Sequence, residues 1–212
     1  MRPLTERWPK AVLPVDGRAV LATLLVELQG GGIGPITVVT GHLGDQVDCL
    51  IEGFDVRVAR QPEPRGTADA VSCALRAAAS PPAVVSACDT VFSPGDIGSF
   101  AERFVASGAA GAIAFRNVPP RRAQGIQIED GRVACVPADG PDSVWAAPLW
   151  AMTAGLVPYL EGLPGPPFEL ADAFQRAIDA GATITPLEVG PTRDLTSPLD
   201  LVRENFPYLA GL

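Results

Sequence analysis

Lys10 is the only lysine among the 16 basic side chains of this 212-residue chain. It lies in Arg2-Pro3-Leu4-Thr5-Glu6-Arg7-Trp8-Pro9-Lys10-Ala11-Val12-Leu13-Pro14-Val15, where Pro9 and Pro14 stiffen the backbone on either side. An ammonium held by a stiff loop can neutralise charge on a phosphate; a solvated lysine in a proline-rich lead-in is the plainer alternative. Ala83-Val84-Val85-Ser86-Ala87-Cys88-Asp89-Thr90 reads as an apolar strand ending in a carboxylate. Ligands of open α/β sheets gather at the carboxyl ends of strands, so Asp89 stands where a magnesium ligand is expected, unless it merely caps a turn. Asp194, in Gly190-Pro191-Thr192-Arg193-Asp194-Leu195, also follows an apolar strand. Alone it reads as a cap or turn residue, but two aspartates plus water and phosphate oxygens would satisfy one magnesium ion.

Gln61-Pro62-Glu63-Pro64-Arg65-Gly66-Thr67-Ala68-Asp69-Ala70 passes from a strand through a rigid turn into a helix of small residues. Gly66 presents no Cβ to a flat ring approaching the backbone, and Thr67 with the first helical N–H groups offers hydrogen bonds, so base recognition is a natural use. An ordinary strand-turn-helix link with Thr67 as N-cap explains the same residues. His42, the single histidine, has no serine or cysteine partner nearby and reads as structural or pocket-lining.

The elements that must position these residues follow from hydrophobic patterning. Short apolar runs alternate with longer amphipathic stretches, the pattern of an α/β fold with a mostly parallel, Rossmann-like mixed sheet and helices on both faces. Ile36–Thr40, Val56–Arg60, Ala83–Cys88, Gly111–Arg116 and Ile184–Val189 read as strands, and the first three are expected side by side in one sheet. Ala19–Gln29, Leu43–Glu52, Ala68–Ala79, Asp96–Ser107, Leu170–Ala180 and Pro198–Asn205 read as helices. Ile126–Glu129 and Arg132–Val136 flank Asp130-Gly131, a dipeptide suited to a tight hairpin, which makes a small antiparallel insertion. With no internal repeat and no segment able to build a separate core, residues 1–212 are expected to form one domain.

The composition excludes some partners. A net charge of −8 argues against general affinity for nucleic acid or an anionic membrane, so any phosphate must be gripped locally. Cys49, Cys73, Cys88 and Cys135 show no CxxC pair and suggest neither a zinc site nor a disulfide framework. No run is long and apolar enough to span a bilayer and the first residues are too polar for a signal peptide, so the cytoplasm is the expected location.

Taken together these residues resemble the sugar-phosphate nucleotidyltransferases, or nucleotide-sugar pyrophosphorylases. That family looks like G-x-G-T-R-(M/L)-x-P-L-T followed by P-K-x-L-L-P-V, a G-T-A segment, a strand ending in Asp, and a late Asp before a short P-x-D-L helix. Here stand Met1-Arg2-Pro3-Leu4-Thr5, Pro9-Lys10-Ala11-Val12-Leu13-Pro14-Val15, Gly66-Thr67-Ala68, Cys88-Asp89 and Asp194-Leu195-Thr196-Ser197-Pro198-Leu199-Asp200-Leu201. The first two carry the specificity. The resemblance implies transfer of a nucleotidyl group from a nucleoside triphosphate to a sugar 1-phosphate, with release of pyrophosphate. It further implies that Asp89 and Asp194 hold Mg2+, Lys10 contacts phosphate, Gln61, Gly66 and Thr67 read the base, and Gly125 lies against the sugar.

Two departures qualify that reading. If Met1 aligns with the M/L of the family loop, the first strand, the glycine-rich turn and the loop arginine lie upstream of the numbered chain, and the sheet should be interrupted where that strand belongs. The family's Glu-Lys-Pro after the hairpin is also missing, since Arg132-Val133-Ala134-Cys135-Val136 runs into Pro137-Ala138-Asp139-Gly140-Pro141. A non-catalytic nucleotide- or sugar-phosphate-binding relative, and a nucleotidyltransferase for a non-sugar phosphate, therefore stand as alternatives. The sequence identifies neither base nor acceptor; a homo-oligomer is compatible with it.

Overall fold

The computed structural model describes residues 1–117 and 125–206. In chain order the strands are β1 (Pro14–Val15), β2 (Arg18–Ala19), β3 (Ile36–Thr40), β4 (Val56–Arg60), β5 (Ala83–Ser86), β6 (Thr90–Val91), β7 (Gly111–Arg116), β8 (Gly125–Glu129), β9 (Arg132–Ala138), β10 (Val144–Met152), β11 (Ile184–Glu188) and β12 (Arg193–Asp194). The helices are α1 (Val20–Gly30), α2 (Gly44–Ile51), α3 (Thr67–Arg76), α4 (Asp96–Ser107), α5 (Leu170–Asp179) and α6 (Pro198–Asn205). The expected α/β class, with a mixed sheet, helices on both faces and an antiparallel hairpin, is the one observed. Among the described residues no helix is long and apolar enough to cross a membrane.

Side-chain alternation explains the layers. Along β7, Ala112 and Ala114 join Leu21, Leu24, Leu25 and Phe100 of α1 and α4 in one core, while Ile113 joins Phe174 of α5 and Val71 of α3 in another. The buried residues of α1 (Val20, Leu21, Leu24, Leu25, Leu28) recur with helical spacing and form one stripe. On the opposite face, Trp150 meets Phe174 edge to face with centroids 4.8 Å apart, fixing α5 to the sheet.

The strand that joins the main sheet is β10, which the sequence reading passes over. It pairs antiparallel with β5, β7 and β8. Pro148 interrupts its apolar run and argues against an interior strand. In the fold, Pro148 falls within the register shift between Ala146 and Trp150, and its carbonyl accepts from Ala87 N–H at 3.0 Å. Since β5 and β7 both oppose β10, they run in one direction, shared by β11, which pairs parallel with β7.

One expectation is corrected. β3 and β4 pair parallel with each other, but β5 belongs to the six-stranded sheet, so the three are not neighbours in one ladder. Among the described residues β3 pairs only with β4, and β5 only with β10. Helix packing holds the parts in one layer: Val38 of β3 and Val84 of β5 both contribute to the core under α1 and α2. No strand ladder joins β3 to β5 among the described residues.

A third, small core joins the two ends of the chain. Leu13, Val15, Val20, Val91 and Leu195 are buried together, with Met1 and Leu201 packed against them. The β1–β2 hairpin supplies Val15 and turns at Asp16 and Gly17, with φ of 51° and 76°. Asn205 closes the arrangement, donating to Pro14 O at 2.7 Å and accepting from Gly17 N–H at 3.3 Å. Leu195, 1% exposed, is the centre of this cluster. Leu195→Ala is expected to cost about 2–5 kcal/mol in urea unfolding, the range for truncating a fully buried leucine; a loss below 1 kcal/mol would show that the small core is dispensable.

Candidate active site

Three distant segments meet at the carboxyl edge of β5 and β7. The loop of Pro9 and Pro14 winds through a 3-10 turn, Lys10–Val12, that buries Ala11 against the core of α1 and turns Lys10 outward. Lys10 Nζ donates to Asp89 Oδ2 at 3.0 Å, with the two side chains 38% and 30% exposed. Immediately after Asp89 comes β6, which pairs antiparallel with β12 so that Asp194 lies opposite Thr90 and Arg193 opposite Val91. Leu195 N–H donates to the Asp89 carbonyl at 3.2 Å, extending the ladder by one bond. Asp194 is thereby one cross-strand step from the residue that follows Asp89.

Asp194 is well oriented. Its Oδ1 accepts from Thr90 Oγ1 at 2.8 Å, Thr192 Oγ1 lies 3.2 Å from its Oδ2, and Arg116 Nη2 approaches Oδ2 at 3.5 Å. The donor set is two hard carboxylates; among the described residues no cluster of three or more His, Cys, Asp or Glu side chains is placed to hold a metal. That set suits a cation that takes few protein carboxylates and completes its shell with water and phosphate oxygens.

The segment expected to read a base is braced against the start of α5. Gln61 Nε2 donates to Gly66 O at 3.0 Å and to Asp69 Oδ2 at 2.8 Å. Thr67 donates to Glu169 Oε2 and accepts from Leu170 N–H, each at 2.7 Å. Its hydroxyl therefore caps α5, not the helix that Thr67 itself begins. Gly66, at φ 110°, is pressed on the backbone of Phe168, and any Cβ there would collide with the Phe168 carbonyl. This contact accounts for the glycine without a ligand. Gly125 opens β8, buried between Trp145 of β10 and Ala138 of β9. His42 is exposed and takes no part in these contacts among the described residues.

Sequence reasoning missed two residues. Arg116 is the last residue of β7 and only 14% of its side chain is exposed. Its guanidinium carbon sits 4.6 Å from the ring centroid of Trp145, its cross-strand partner on β10. The signal was an arginine closing an otherwise apolar strand, but its neighbour could be known only from the register of β10.

After Asp194 the chain is fixed by the start of α6. Ser197 caps the helix, and Asp200 Oδ2 accepts from Thr196 N–H at 3.0 Å and Ser197 N–H at 2.6 Å, completing a capping box. Burial opposes ionisation of Asp200, but the bonds from the Ser197 N–H, the Ser197 side chain and the Thr196 N–H, with the charge of Arg203, hold its carboxyl below the ordinary value. Arg193 ties the same segment to Asp16, and to Glu204 at 3.5 Å.

Comparison with known proteins identifies the kind of domain. The model of the MobA-like NTP transferase domain matches residues 4–176. The low-salt glycan biosynthesis nucleotidyltransferase Agl11 of Haloferax volcanii is 25% identical over 220 residues, covering 97% of this chain and 61% of its own length. The chain thus spans about three fifths of that relative. Among solved structures, a Bacillus anthracis protein assigned as a glucose-1-phosphate thymidylyltransferase superposes with TM-score 0.82 at 20% identity, covering 97% of this chain and 88% of that one. The inositol-1-phosphate CTP transferase of T. maritima gives 0.77 at 18% identity, covering 94% and 85%. At these identities the structural likeness establishes the fold.

The capping box makes stability depend on pH in a defined direction. A carboxyl lowered by folding contributes stability that is complete above its unfolded value, near 3.8, and is lost as pH falls through the lower folded value. Urea unfolding of the wild type and Asp200→Asn across this range should show a stability gap that closes with acidification; a gap independent of pH would remove the carboxylate from the account.

Proposed function

The chain belongs to the MobA-like NTP transferase family, and from that premise we propose that it joins a nucleoside triphosphate to a sugar 1-phosphate, releasing pyrophosphate. The observation that carries the proposal is the contact of Lys10 with Asp89 beside the Asp194 ladder. It supports a site in which one partly solvated cationic group and two carboxylates face phosphates.

In the proposed reaction an oxygen of the acceptor's phosphate attacks the α-phosphorus of the triphosphate. The new P–O bond forms as the bond from the α-phosphorus to the bridging oxygen breaks, and that electron pair leaves on pyrophosphate. A phosphate monoester is already ionised near neutral pH, so the attacking oxygen needs no general base. The work left to the protein is positioning and charge neutralisation. Asp89 and Asp194 would hold magnesium, which when bound neutralises phosphate oxygens. With Asp89 holding that ion, the Lys10 ammonium would be free to meet a phosphate oxygen. Its partial exposure leaves room for that contact.

On the base side, both amide donors of Gln61 are spent within the loop, and its side-chain oxygen remains to accept from a base N–H. Thr67 and Gly66 act by shaping the loop and through backbone groups, and Gly125 lets the acceptor ring approach the sheet closely. The absence of Glu-Lys-Pro after the hairpin also supports a related reading in which the acceptor is a non-sugar phosphate. The four cysteines are all unpaired, which fits the reducing cytoplasm.

Pyrophosphate release with magnesium, measured over a matrix of nucleoside triphosphates against sugar, cyclitol and amino-alcohol phosphates, tests the proposal and identifies the acceptor. Lys10→Ala and Asp89→Ala should each lower turnover by about 10²-fold or more, with thermal unfolding little changed because both side chains are partly solvated, and chelation of magnesium should abolish it. A wild type that binds triphosphate yet turns over no pair would establish the non-catalytic alternative.

A further inference from the structure

The candidate reaction brings two phosphorylated molecules to an edge at which Lys10 can meet only one of them. A second cation with unused donors is needed for the other. Arg60 of β4 is engaged by Asp48 of α2 and Thr40 of β3, and Arg193 by Asp16 and Glu204. Arg116 differs. Of its five guanidinium N–H donors, one makes a long 3.5 Å approach to Asp194, and its buried Nε has no hydrogen-bond partner. Asp194 does not depend on that approach for its orientation, since Thr90 and Thr192 already hold it. Stacking on Trp145 fixes the guanidinium plane and leaves the donors at its rim unspent.

The register gives the position of these donors. Arg116 on β7, Trp145 on β10 and Gly125 on β8 are cross-strand partners in one row, and Asp194 adjoins Arg116. We propose that Arg116 binds the phosphate of the acceptor, an anionic phosphate monoester, with Trp145 as the plate that aims it. The inference rests on the nucleotidyl-transfer reading for the identity of the acceptor. A guanidinium suits this task better than an ammonium because its planar fork can meet two phosphate oxygens at once.

The test is calorimetric titration of the full chain, without triphosphate, using glucose 1-phosphate against glucose and inositol 1-phosphate against inositol. The wild type should prefer at least one phosphorylated probe over its parent by about 10–100-fold, the worth of a charge-assisted contact. Arg116→Gln and Arg116→Met should lose that preference, and Arg116→Lys should keep part of it. A wild type without phosphate preference, or a folded Gln or Met variant that retains it, overturns the proposal. If both variants unfold, the Nε–H resonance of Arg116 in the wild type decides: it should shift with the preferred phosphorylated probe and not with its parent, and a stationary signal is a refutation. Because no triphosphate is present, failure here is separable from failure of nucleotidyl transfer. During turnover, Arg116→Gln should raise KM for the phosphorylated acceptor with KM for the triphosphate nearly unchanged. A raised magnesium requirement without that split would make Arg116 a positioning residue for Asp194 and overturn the assignment.

Discussion

The meeting of Lys10, Asp89 and Asp194 depends on the short ladder between β6 and β12. Two residues on each side pair across a sequence separation of more than a hundred positions, and a ladder that short has little stability of its own. It persists because Leu13, Val91 and Leu195 are buried together directly behind it. Each lies within three residues of Lys10, Asp89 or Asp194. The apolar burial that stabilises the chain ends and the geometry that gathers the charged groups are therefore the same event. The Lys10–Asp89 pair, by contrast, is partly solvated and adds little stability, so its residues are free to exchange partners.

A second organising element is β10, which orders the strand ends around it. Its carboxyl half separates β5 from β7, and its amino half lies between β7 and β8. This arrangement brings Arg116 and Gly125 to either side of Trp145. The alanines at 112, 114, 147 and 151 let α1 and α4 seat closely on the same sheet, while larger side chains fill the face under α5. Shape on the two faces thus sets the sheet position, and the sheet position sets the edge.

Much of this was legible from local pattern. The five apolar runs became strands and the amphipathic stretches became helices, with α4 and α6 matching their expected bounds. Asp130-Gly131 forms the expected hairpin turn, with φ of 47° and 74°. The same signal at Asp16-Gly17, just past the loop of Pro9 and Pro14, turns the β1–β2 hairpin and is absent from the sequence reading. β10 escaped because a proline interior to a strand is readable only once the bulge that absorbs it is seen. Gly66 and Thr67 carry two accounts at once: their types suit a nucleotide loop, and their packing is also explained by contacts with residues about a hundred positions away. Arg116 acquires meaning only from its cross-strand partner and from Asp194, neither of which is near it in sequence.

The break between β3 and β5 has a consequence for how position is transmitted across the layer. Strand pairing stops at that line among the described residues. β3 and β4 are held to the rest by side chains packed beneath α1 and α2, and the loop that follows β4 is tied to the segment before α5 by main-chain bonds from Ala68 N–H to Phe168 O at 2.9 Å and from Phe168 N–H to Arg65 O at 2.7 Å. The distance from the Gln61–Thr67 loop to Asp89 and Arg116 is therefore set through α5 and its seat on the six-stranded sheet, where Phe174 meets Trp150, and not through a strand ladder. Helix α5 is the strut between the two groups of residues.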